Sequence, residues 1–91
     1  MNFTDLKFAP HPVMGENHGI QALAFFPNGY GVSVVRFPGS YGYGEGLYEV
    51  AVLQGTSSDY RLCYDTPVTN DVMGHCDEQD INNIMEEVSF L

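Results

Sequence analysis

QALAFFPNGYGVSVVRF, residues 21–37, decides the fold. Two apolar runs rich in β-branched and aromatic residues flank Asn28-Gly29, and both of these residues tolerate positive φ. The spacing therefore predicts a tight hairpin with strands over 20–26 and 30–37. Pro27 lacks an N–H and closes the hydrogen bonding of the first strand.

On the C-terminal side, PGSYGYGEG (38–46) reads as a loop and LYEVAVLQ (47–54) as a third strand. A turn over Gly55 to Asp59 leads into YRLCYD (60–65), where Tyr60, Leu62 and Tyr64 share one face and Arg61 and Cys63 the other. Short connections between consecutive strands imply an antiparallel meander. On the N-terminal side, the segment around Leu6 and Phe8 offers an edge strand, ended at Pro10-His11-Pro12. After Thr66-Pro67 the period changes. Ile81, Ile84, Met85 and Val88 recur at i, i+3, i+4 and i+7, with Asn82, Asn83, Glu86 and Glu87 on the other face. Asp77 suits the N-cap, and Asp77, Glu78 and Asp80 suit the positive end of the helix dipole. The expectation is one domain over residues 1–91: α+β, a meander of four to five strands with one C-terminal amphipathic helix, over about 77–88, packed on it.

The charge balance narrows the function. Twelve acids face only Lys7, Arg36 and Arg61, for a formal net charge of −9. Phosphate-backbone binding needs a basic stripe that this chain lacks, which argues against direct nucleic-acid contact and against an anionic membrane surface. No apolar run reaches the roughly 20 residues of a membrane span, and MNFTDLKF does not read as a secretory signal. Cys63 and Cys76 are then expected as reduced thiols.

Few constellations carry chemistry. His11, His18 and His75 with the two cysteines lack the close ligand pairs of a structural zinc site, so no metal is expected. Cys76, placed where the helix opens, offers a thiol of lowered pKa beside His75, but no cysteine-enzyme signature surrounds the pair. Gly42, Gly44 and Gly46 alternate without the G-x-G-x-x-G spacing, and a strand rather than a helix follows. No catalytic residue and no cofactor is called for. Tyr41 and Tyr43 on that glycine scaffold match the residue usage of recognition loops. The acids are asymmetric. Residues 59–91 hold eight of them against Arg61, a net −7, whereas the first 58 residues carry −2. Such a field either solvates a helix face or mimics phosphates to a basic groove. The candidate partner-binding residues are Asp71, Asp77, Glu78, Asp80, Asn82, Asn83, Glu86 and Glu87, with Tyr41 and Tyr43.

The run NGYGVSVVRFPGSYGYGEGLYEVAVL (28–53), followed by LCYDTPVTNDVMGH (62–75) and preceded by LKFAPHP (6–12), resembles a family of small uncharacterised proteins of tailed bacteriophages. The resemblance covers most of the chain and implies a context. It points to an accessory protein acting in the cytoplasm of an infected bacterium, binding a host protein and inhibiting a host factor, as anti-CRISPR and other anti-defence proteins do. A second expectation belongs to a different class: a homo-oligomer that sequesters a small, nucleotide-like ligand held by Arg36 or Arg61.

Overall fold

A computed structural model describes the backbone of residues 1–12, 15–69 and 71–91, and the side chains of all of these except 15–18. Among the described residues six strands, β1 (Ala9–His11), β2 (Gly15–Phe25), β3 (Tyr30–Arg36), β4 (Tyr48–Thr56), β5 (Asp59–Leu62) and β6 (Met73–Cys76), precede one α-helix, α1 (Glu78–Ser89). All pairings are antiparallel, in the order β1-β2-β3-β4-β5, and β6 also pairs with β4. β5 lies against Leu53–Thr56 and β6 against Tyr48–Val50, so the two share the outer edge of β4 end to end. The sheet is α+β as expected, with one strand more than the four to five expected.

Register makes two unlike faces. Ala22 and Ala24 lie opposite Val34 and Val32, which lie opposite Val50 and Val52. The side chains of Ala24 and the four valines meet Ile81, Ile84, Met85 and Val88 of α1 in one buried cluster with Cys63 and Cys76. The 3.6-residue period of the sequence thus lands on the sheet as expected. Gln21, Leu23, Phe25, Ser33, Val35, Ala51 and Leu53 point to the other side, which no helix covers.

Four local expectations are corrected. Asn28 does not adopt positive φ. Gly29 alone does (φ 86°), closing a three-residue loop in which the Gly29 N–H donates to the Phe26 carbonyl and the Phe26 N–H to the Tyr30 carbonyl. Freed from the turn, the Asn28 amide donates to the carbonyls of Val88 (2.8 Å) and Leu91 (3.3 Å) and ties the C-terminal end of α1 to the hairpin. Gly55 belongs to β4 at φ 131°, packed too close to the Asp59–Tyr60 backbone for a side chain, and the turn itself is Ser57-Ser58. The edge strand is Ala9–His11. Leu6 and Phe8 instead pack against the core after a 3-10 turn at Phe3–Asp5. Cys76 ends strand β6 rather than opening the helix, which Asp77 caps.

Candidate functional site

The β3–β4 connection is a built loop. Ser40 is buried, and its hydroxyl both accepts from the Phe37 N–H (3.0 Å) and donates to the Phe37 carbonyl (2.7 Å). Gly42 sits at φ 96° with a 3.0 Å gap between the place of a Cβ and the Cα of His75, so only glycine fits by either criterion. A 3-10 turn at Tyr43–Glu45 follows, and the Leu47 N–H returns to the Gly42 carbonyl.

This loop seats Tyr41 against β6. The Tyr41 carbonyl accepts from the His75 N–H (3.2 Å), and its own N–H donates to Glu49 Oε1 (3.3 Å). Its ring lies nearly parallel to the His75 imidazole, centroids 6.5 Å apart and planes 24° apart, over a Gly74 whose missing side chain leaves the space. His75 holds φ at 54°, a left-handed conformation costly for a residue with a Cβ. Its Nε2 lies 3.8 Å from Glu45 Oε1. The Arg36 guanidinium rests 5.7 Å from the Tyr43 ring centroid and 6.0 Å from that of Tyr48. A half-open platform results, with Tyr41 61% and Tyr43 40% exposed.

Comparison with protein-family models, with curated proteins and with solved structures finds no match to this chain. The site is therefore read from its own chemistry.

The structure divides the expected partner-binding residues into two groups. Tyr41 and Tyr43 share one end of the molecule with Asp77, which follows His75 by two residues. Asp77 and Asp80 form a reciprocal capping box: Asp77 Oδ1 accepts from the Asp80 N–H (2.8 Å), and Asp80 Oδ2 accepts from the Asp77 N–H (3.0 Å). Their first duty is thus to start the helix. Glu86 and Glu87 lie about 12 Å further along the axis than Glu78, at 1.5 Å per residue, so they stand at the opposite end of the helix from the tyrosines. Asn82 leaves the outer face. Its Oδ1 accepts from the Phe3 N–H (2.6 Å) and ties the N-terminal turn to α1. Asn83 accepts from Gln79 (3.0 Å), and Asp71 Oδ1 accepts from the Val72 N–H (2.7 Å). Glu78, Glu86, Glu87 and Asp71 remain exposed.

Arg36 and Arg61 do not converge on an anion. Arg61 donates to Gln54, which lies opposite Tyr30, while Arg36 ends the same strand β3 about 20 Å away, six residues at roughly 3.4 Å each.

The thiols are not nucleophiles in waiting. Cys76 was expected at lowered pKa. Burial in the core pushes it up instead, to about 11, helped by the Asp80 and Asp77 carboxylates. Cys63 donates to Asp65 Oδ1 (2.9 Å); that bond, and then burial, raise its pKa as well. Both thiols are free and buried. Among the described residues no three His, Cys, Asp or Glu groups gather around one point, and the His18 side chain lies outside the described residues. No described helix is long and apolar enough to cross a membrane.

His75 and Glu45 were not among the expected binding residues, and Arg36 was expected only as a holder of an anionic ligand. MGHC carries no β pattern of its own, so β6 shows only once it pairs with β4, and with it the meeting of His75 and Tyr41.

Proposed function

We propose that this chain acts by binding rather than by catalysis: a phage accessory protein that docks on a basic surface of a host protein and inhibits it. The supporting observation is the exposed Tyr41–Tyr43 platform, stacked on His75 and fixed by glycines that admit no side chain, at the acid-rich end of α1. Rigid tyrosines supply contact area at low entropic cost, which makes them frequent anchors of protein interfaces. The carboxylates around them speed encounter with a cationic partner and set its orientation. Arg36 keeps its positive charge beside the Tyr43 ring and offsets part of that field locally, while the eight acids of residues 59–91 are opposed within that segment by Arg61 alone. The raised thiol pKa values weigh against a cysteine enzyme. The partner class that fits best is a nucleic-acid-binding host factor, such as a CRISPR effector or another defence complex in the bacterial cytoplasm.

A pull-down of the tagged protein from bacterial lysate, washed across a salt series and read by mass spectrometry, tests this. A host complex that elutes as salt rises is expected. Tyr41→Ala should weaken its capture at least tenfold, and charge reversal at Glu86 and Glu87 should reduce the salt dependence. Capture that ignores both changes removes the proposal.

A further inference from the structure

The sheet face opposite α1 is built like half of an interface. Its floor is small and nearly closed: Ser33, Val35 and Ala51 are each 8% exposed although no described helix or second sheet covers them. With His11, Phe37, Leu62 and Val72 they line a hollow of about 200 Å³. Toward the hairpin end the same face rises. The Phe25 ring lies over Gly31 and meets Tyr60 (centroids 5.3 Å), and the ridge they form with Leu62 shields Leu53 down to 1% exposure. Leu23 (37%), Tyr60 (42%) and Leu62 (50%) stand out along it. Ridge and hollow thus sit on one face, displaced along the strands, with Leu62 bordering both.

The geometry points to a second copy of this chain as the occupant of that face, docked sheet on sheet about a twofold axis. An isologous contact requires one patch to carry both knob and hole, and here it does. An axis lying across the strands between the Leu23 and Phe25 rows reverses the row order and lays each copy's ridge over the other's hollow. Charge supports the same occupant. Each copy is −9 overall, yet among the described residues Glu49 is the only acid lining the hollow, and all five acids of the α1 segment lie on the far layer. With sheets about 10 Å apart and a helix layer outside each, the two acidic helices stand about 30 Å apart. That is well beyond the roughly 8 Å over which physiological salt screens charge. A partner seated on the helix side would meet the whole field. The area is modest. Four strands at about 4.8 Å and four rows at about 6.8 Å give roughly 500 Å² per copy before side-chain relief. This exceeds half of a typical packing contact and falls short of the roughly 800 Å² of a standard interface. The dimer is accordingly reversible.

Light scattering on the full chain from about 5 to about 500 µM tests this. The mass should climb from 10.1 kDa toward twice that value. Leu62→Glu, at a half-exposed position, should weaken association at least tenfold, while Glu86→Lys should leave it within twofold. NMR amide shifts of the unmodified chain on dilution give a reading that needs no variant, and they should change along β2 to β5 and not along α1. A monomer throughout the range overturns the inference. So does a dimer that Leu62→Glu leaves intact, or dilution shifts confined to the helix.

Discussion

The two faces of β3 and β4 are made by alternate residues of the same strands, yet they are buried by different means. On one, Val32, Val34, Val50 and Val52 are sealed at 0% exposure by a helix whose apolar stripe fits them. On the other, Leu53 reaches 1% beside Leu62 on the next strand, on the face where the Phe25 and Tyr60 rings meet. Near-equal burial therefore conceals different mechanics: a second layer on one side, and movable side chains of the same layer on the other. The helix-covered face holds the domain together. The other remains available for contact.

The largest expected effect tests that contrast directly. Ile81→Ala removes a fully buried side chain from between two rigid elements, and it should cost about 4 kcal/mol of unfolding free energy in urea. Leu53→Ala deletes a comparable side chain at comparable burial, but the Phe25 and Tyr60 rings can settle into the space, so about 2 kcal/mol is expected. Since whole-domain stability is on the order of 5–15 kcal/mol, the first variant should be partly unfolded at modest temperature and the second should not. Equal costs would mean that the ring cover is as rigid as the helix.

Alkaline pH acts on the helix-covered face alone. Cys76 has an ordinary pKa of 9.0, raised to about 11 in the fold by burial and then by Asp80 and Asp77. A folded pKa above the unfolded one leaves stability intact below pH 9 and removes it as pH rises from 9 to 11, because the unfolded thiol gives up its proton first. At about 1.4 kcal/mol per unit the full loss attributable to this thiol is about 3 kcal/mol. Cys76→Ala should flatten the difference in urea midpoint between pH 8 and pH 11 relative to the unmodified chain. A variant with an unchanged slope would place the alkaline loss elsewhere.

The same contrast governs what the sequence discloses. The helix-covered face was legible because its signals are local and redundant: the i, i+3, i+4, i+7 stripe from Ile81 to Val88, the Asp77 cap, and apolar runs on either side of Asn28-Gly29. Details that rest on a partner distant in the chain were not. Asn28 serves the helix end instead of the turn, a role fixed by residues 60 positions away. β6 exists through its pairing with Tyr48 and Val50, and the burial that lifts the Cys76 pKa follows from that pairing and the helix above it. At the candidate site Tyr41 and Tyr43 were legible from their glycine-rich setting. His75 and Glu45 were not, because only the folded chain brings the β3–β4 loop to β6. Composition recorded the acids correctly but could not say that Asp77 and Asp80 are occupied with each other, or that Asn82 holds Phe3.

The smallest expected effect concerns the open face and separates its two roles. Leu62 is half exposed in the single chain, so Leu62→Gln should shift the unfolding free energy of a dilute sample by less than about 0.5 kcal/mol. A residue that only shields Leu53 would keep that small value at every concentration. One that also contacts a second copy would not, because association with the folded form adds stability in proportion to the logarithm of protein concentration. The unmodified chain should then gain thermal stability between dilute and concentrated samples, and Leu62→Gln should lose most of that gain while matching it when dilute. Parallel melting curves for the two proteins at both concentrations would assign Leu62 to shielding alone.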